Sequence, residues 1–176
     1  MSGTSDFEPV CTSAQLYAIA YEIEVDAVER YKLLADQMQT HNNDELARIF
    51  LDLARAEGLH ADEIRRLAGA LGVESKRGPI GSWRTESPES VDLNAAHYLM
   101  TPRDALQMAL AGEERALAFY TGLASAAVDP AVKKLAEDFV EEELEHVELC
   151  HRLLRRYPLT AGVTRDDDPD PPQAGD

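Results

Sequence analysis

Two stretches of this 176-residue chain occur twice. Residues 24–35, EVDAVERYKLLA, align without a gap on residues 113–124, EERALAFYTGLA, matching Glu24 to Glu113, Ala27 to Ala116, Tyr31 to Tyr120, Leu34 to Leu123 and Ala35 to Ala124. Residues 57–67, EGLHADEIRRL, align on residues 143–153, ELEHVELCHRL, matching Glu57 to Glu143, His60 to His146, Arg66 to Arg152 and Leu67 to Leu153. The step from Glu24 to Glu113 is 89 positions and that from Glu57 to Glu143 is 86, so the order is kept with one slightly shorter join. The two halves of the chain are therefore predicted to be pseudo-equivalent.

Each half is helical by its punctuation. The segment 12–39 opens with Thr12 and carries Gln15 three residues on, a capping-box pattern. Asn42 or Asn43 can cap the segment 44–71, which stops at Gly72. Thr101 and Asp129 cap the other two, each followed by a proline at the first helical position, where a missing N–H costs nothing. The last helix ends before Pro158, and no strand-type alternation occurs. The expected fold is all-α, a four-helix bundle made of two antiparallel hairpins. The joins near 40–43 and 126–129 are short. The connection 72–100 is long, broken by Gly72, Gly78, Pro79, Gly81 and Pro88, and suits a crossover between the second and third helices. Residues 90–100 are expected to form a short helix within it, and Trp83 to pack it onto the bundle. Residues 1–11 are expected to be an N-terminal extension, 12–160 the bundle, and 161–176 an acidic, disordered tail rich in Pro and Asp.

With 33 acidic against 17 basic residues, the formal net charge is −16, which argues against nucleic acid or an anionic membrane as partner. No apolar run approaches the roughly 20 residues of a membrane span, and the N-terminal residues show no secretory pattern. Cys11 and Cys150 are isolated, which excludes a four-cysteine iron or zinc module and fits a reducing, cytoplasmic setting.

Positions three apart on a helix lie within roughly 60° of one another around the axis, so Glu57 and His60 share a face, as do Glu143 and His146. One glutamate on each of two helices, here Glu24 and Glu113, plus Glu-x-x-His on each of the other two, is the dinuclear carboxylate arrangement of ferritin-like bundles. Four ionised carboxylates in a core would repel, and each would lose several kcal/mol of hydration if left unpaired. Two divalent cations cancel their charge, and mixed oxygen and nitrogen ligation without thiolate suits iron or manganese. Tyr31 and Tyr120 follow Glu24 and Glu113 by seven residues, within about 20° of the same face, so each phenol is expected to hydrogen-bond a ligand carboxylate. Gly58 and Gly112 flank Glu57 and Glu113, and the missing side chains are expected to leave room beside the metal for a diatomic ligand or a moving carboxylate. The bland alternatives are a solvated face for Glu141, Glu142, Glu145 and Glu148, surface or satisfied core roles for His41, His97 and His151, and simple core packing for the two tyrosines.

At Glu24, Glu57-x-x-His60, Glu113 and Glu143-x-x-His146 the chain resembles the rubrerythrin-like branch of the ferritin-like superfamily, over about residues 12–157. The resemblance implies a non-haem diiron bundle, a homodimer or larger homo-oligomer, and reduction of hydrogen peroxide or dioxygen. Glu57 and Glu143 would bridge the ions, with Glu24 and Glu113 terminal. Typical members carry a C-terminal rubredoxin domain, which this chain lacks, so an external donor such as a rubredoxin-like or flavin protein is expected. They also carry a further glutamate on the third helix, three residues past the first, where this chain has Ala116. The remaining four-Glu, two-His set is closer to a bacterioferritin ferroxidase centre. The rivals to a diiron peroxidase are accordingly a ferroxidase acting on Fe(II) for iron storage or detoxification, and a metal-free helical scaffold that binds a partner.

Overall fold

The computed structural model describes residues 10, 12–72, 87–91, 93 and 100–157. Among them are four helices and no strand: α1 (Ser13–Thr40), α2 (Asp44–Ala70), α3 (Pro102–Ala126) and α4 (Pro130–Leu154). The protein is thus an all-α, ferritin-like four-helix bundle. The caps explain the starts. Thr12 Oγ1 accepts from Gln15 N at 3.2 Å while Gln15 Oε1 accepts from Thr12 N at 3.0 Å, so two otherwise orphaned donors are satisfied reciprocally. Thr101 and Asp104 form the same box on α3, and Asp129 accepts from Ala131 N and Val132 N on α4. Of the two candidate asparagines, Asn43 caps α2, and Asn42 takes the left-handed conformation (φ 57°) that lets the chain reverse. The end of α4 is closed by Arg103, whose guanidinium donates to Leu154 O and Tyr157 O.

Helix α1 packs along α2, and α3 along α4; smaller contacts join α1 to α4 and α2 to α3. The core is divided. One apolar cluster holds Ala27, Tyr31, Leu34, Phe50, Ala54, Ala109 and Cys150. The other holds Tyr17, Ile23, Ile64, Ala116, Tyr120 and Phe139. Between them, on all four helices, lie the buried acids Glu24, Glu57, Glu113 and Glu143. Going up the chain from its glutamate, α1 enters the first cluster and α3 enters the second, so these two helices run in opposite directions. It follows that α2 and α3 run the same way. The chain leaving α2 has to return the length of a 27-residue helix, about 40 Å, before α3 can begin. This is the physical reason for the long connection.

Part of that connection, residues 87–91, lies across the acidic layer. Val91 joins the first apolar cluster. Arg115 donates to Pro88 O at 3.0 Å and Ser90 O at 2.6 Å, and Arg30 donates to Val91 O at 3.1 Å while pairing with Asp26 at 2.9 Å. The backbone of Glu89 then sits directly on Gly112, where an added Cβ would meet Glu89 O at 3.0 Å. Trp83, His97, most of residues 90–100 and the tail 161–176 lie outside the described residues.

The two glycines beside the acids therefore differ from the sequence-based expectation and from each other. At Gly112 the space is filled by backbone, not left open. At Gly58 a Cβ would meet only Val28 Cγ2, at an ordinary 3.9 Å. Gly58→Ala is expected to stabilise the protein by about 1 kcal/mol through helix propensity alone. Gly112→Ala is expected to destabilise it by about 1–3 kcal/mol through overpacking against the Glu89 carbonyl, whose neighbours Pro88 O, Ser90 O and Val91 O are held by Arg115 and Arg30. Denaturant melts of the two variants should move in opposite directions; a Gly112→Ala variant as stable as the parent or more so would remove this account of Gly112.

Candidate metal centre

Each acid of the middle layer arrives from a different helix, at a position where the apolar stripe of that helix faces the core. Glu24, Glu57, Glu113 and Glu143 are 2–4% exposed. Glu24 lies within carboxyl-to-carboxyl hydrogen-bonding reach of Glu57, and Glu143 within that of Glu113. The two histidines close one side. His60 Nδ1 is 3.7 Å from Glu57 Oε2, and His146 Nδ1 is 3.4 Å from Glu113 Oε2 and 3.6 Å from Glu143 Oε2. Their rings stack with centroids 4.3 Å apart. They are the least buried members, with 35% of the His60 side chain and 16% of the His146 side chain exposed, so solvent approaches the cluster from the histidine side.

Two tight groups emerge whose candidate ligand atoms all lie within 4.8 Å of one another: Glu57 with His60 and His146, and Glu57 with Glu89, Glu113 and His146. Glu57 and His146 belong to both. Glu24 and Glu143 stand just outside them, each beside one of their acids. Glu89 is the member that sequence reasoning missed. It comes from the connection, where no periodicity marks a residue as inward-facing. The one trace it left in the sequence is Gly112, a glycine inside a helix, which signals a close approach by something else. Position 116, by contrast, is a buried alanine that brings no carboxylate.

The electrostatics are those of a site prepared for cations. Burial, then the neighbouring acid Glu113, pushes Glu57 up to about 8. Burial raises Glu143 to about 7, with Glu113 adding to the effect against His146. Glu24 and Glu89 are raised well above the ordinary carboxylate range by burial and by the other acids. His60 is lowered to about 4 by burial and by His146. Burial also acts to lower His146, but Glu113 and Glu143 outweigh it and raise the imidazole to about 11. Cys150 is pushed up to about 12 by burial and then by Glu113 and Glu57, so it stays a thiol and offers no thiolate.

Many of the polar atoms here have no partner. Glu24 Oε2, Glu57 Oε2, Glu113 Oε2, Glu143 Oε2, both oxygens of Glu89 and His146 Nδ1 are buried without a hydrogen bond among the described residues. Buried polar groups are nearly always satisfied, and each exception calls for an explanation. One shared explanation, cations at the centre, accounts for all of these atoms together, and a set of hard oxygens with two imidazoles suits iron or manganese. The tyrosines correct an expectation. Tyr31 and Tyr120 are fully buried on opposite sides of the acidic layer, stacked on Phe50 and tilted against Phe139 respectively. Neither hydroxyl forms a hydrogen bond to a carboxylate or to anything else described.

An all-α bundle with a carboxylate and histidine cluster across its middle defines a ferritin-like protein able to hold metal. Within that class the chain belongs to the rubrerythrin family, whose model matches residues 16–88 and 104–170. Among solved structures it is similar to an uncharacterized conserved protein from Magnetospirillum magnetotacticum MS-1. The two are 37% identical over 87% of this chain and 99% of that one, with a TM-score of 0.64. No protein of curated function matches. Among the described residues no helix is long and apolar enough to cross a membrane.

Proposed function

We propose that this protein is a non-haem diiron oxidoreductase that reduces hydrogen peroxide, or dioxygen, with electrons from a separate donor such as a rubredoxin-like or flavin protein. Glu24, Glu57, Glu113, Glu143, His60 and His146 would hold the two ions. The observation that carries this reading is the layer of unpartnered carboxylate oxygens drawn from all four helices into an otherwise apolar core. The ions, when bound, supply the electron transfer to the oxidant.

The chain's own residues supply the rest. The two apolar clusters above and below the layer exclude water from it. The histidine side, being the only partly open one among the described members, admits a small oxidant. Tyr31 and Tyr120, whose acidities are suppressed first by burial and then by the facing glutamates, keep their protons at Oη. They stand as unengaged donors on either side of the layer. Reduction of peroxide to two waters consumes two electrons and two protons, and a phenol with no competing acceptor is suited to donate a hydrogen bond to an oxygen entering there.

Ala116 supports a second reading, in which Fe(II) is the substrate and is oxidised for storage or detoxification. The two are separated by anaerobic loading with two Fe(II) per chain and rapid mixing with peroxide and, in parallel, with oxygen. Near-ultraviolet ferric absorbance should rise faster with peroxide, and it should recover repeatedly when a reductant is present. Consumption of many Fe(II) per site with iron retained would favour the second reading. Flat traces with both oxidants would remove both.

A further inference from the structure

Glu89 is 1% exposed, and among the described residues neither of its carboxylate oxygens has a hydrogen-bond partner. It is not placed there by the helical repeat that places the other acids; it enters from the connection between α2 and α3. Its position is nevertheless firmly built. Arg115 grips the carbonyls on either side of it, Arg30 grips the next one, Val91 is buried in the core, and Gly112 is kept bare so that the Glu89 backbone can lie on α3. The flanking hydroxyls do not relieve its carboxylate, since Ser87 Oγ and Ser90 Oγ are themselves buried without partners among the described residues. Its oxygens lie within 4.8 Å of candidate ligand atoms on Glu57, Glu113 and His146. A fold that spends two arginines and a glycine to hold an unsatisfied carboxylate against three potential ligands is holding it for a cation.

We propose that Glu89 is a seventh protein ligand of the dinuclear centre, delivered by the crossover connection rather than by a helix, and that it binds one of the two cations together with Glu57, Glu113 and His146. This rests on the dinuclear reading above. It makes five carboxylates face two cations. Two divalent ions then leave a formal charge of −1 on the site, and the extra negative charge favours the higher oxidation state. It also ties the connection to the bundle through the metal, so that metal binding and the docking of residues 87–91 stabilise each other.

The test is anaerobic titration of the full-length protein with Fe(II), and separately with Mn(II), following stoichiometry and affinity, with thermal melts of metal-free and loaded samples. Glu89→Gln preserves volume while removing the charge. The expected result is that it weakens binding of one of the two ions by at least tenfold, raises the melting temperature of the metal-free protein, and lowers that of the loaded protein. A merely space-filling glutamate predicts no change in affinity, and that result would overturn the proposal. Glu89→Asp retains the charge but is one methylene short, and it should also weaken one ion, without the gain in metal-free stability; unchanged affinity in that variant counts against the proposal in the same way if Glu89→Gln fails to fold. Glu57→Gln serves as the control. If the wild-type protein binds two ions and Glu57→Gln does not, equal binding by Glu89→Gln removes only the role of Glu89. If the wild-type protein binds none, the dinuclear reading falls and this inference with it.

Discussion

Glu57→Gln protein is expected to retain fewer than two metal ions per chain and to lose peroxide-driven iron oxidation by more than about 100-fold. The figure follows from a comparison: changing a group that only orients a ligand typically costs 10–100-fold in metal affinity or activity, and Glu57 is itself a candidate ligand. Its carboxylate belongs to both tight groups of the centre, so its loss affects both ions rather than one. Glutamine has the same shape, which separates the loss of charge from any cavity effect. The metal-free variant should fold and melt at a higher temperature than metal-free wild type, because an acid pushed up to about 8 by burial and by Glu113 no longer has to be accommodated. Metal analysis, stopped-flow oxidation and melting of the same preparations check all three points. A variant that binds two ions and turns over normally would exclude Glu57 from the centre, and a scaffold without metal would show only the gain in stability.

Stability of the metal-free protein is expected to fall as the pH rises from about 5 to 8, the reverse of what salt-bridged carboxylates produce. In the folded chain Glu57 titrates near 8 and Glu143 near 7, against an ordinary 4.5, and Glu24 and Glu89 are raised as well. The folded state therefore binds more protons than the unfolded one in this window. The stability these groups contribute is fully present below about pH 4.5 and is lost as the pH climbs through 7 and 8. His146, raised from 6.5 to about 11, acts in the same sense from neutral pH upward. His60, lowered to about 4, acts in the opposite sense, but only between 4 and 6.5. At about 1.4 kcal/mol for each tenfold change in acidity, the net loss is several kcal/mol. For a chain of this size that lowers the melting temperature by about 10 °C. Two equivalents of Mn(II) should abolish or invert the slope, because the ions displace the protons and bind more tightly as the pH rises. Calorimetry on chelator-treated and loaded protein at pH 5 and pH 8 decides the matter; a metal-free melting temperature that increases across this range would contradict the assigned burial of the acids.

The helices and the acidic layer were legible because both are local or periodic. Capping by Thr12, Thr101 and Asp129 depends on residues two or three apart. The inward direction of Glu24, Glu57, Glu113 and Glu143 follows from helical spacing, and the repeat showed that the two halves present the same pattern. Less was legible about how neighbouring groups engage. Seven-residue spacing put Tyr31 and Tyr120 beside the layer, but whether a hydroxyl reaches a carboxylate depends on ring tilts set by Phe50 and Phe139, and neither hydroxyl does. The two glycines looked equivalent in the sequence because each adjoins an acid; only one of them has a backbone resting on it.

What the amino-acid order determined by itself is the set of four amphipathic helices, their pairing as two like halves, and six side chains aimed at one level of the bundle, since each of these follows from periodicity within a helix or from the repeat between the halves. What only the tertiary structure decided is how the connection between α2 and α3 crosses that level. The placement of residues 87–91 is governed by arginines on α1 and α3 and by a bare position at Gly112, all remote in sequence from Glu89. A loop has no period to announce which of its side chains points inward, so the fifth acid of the layer becomes visible only when the elements that hold it are brought together.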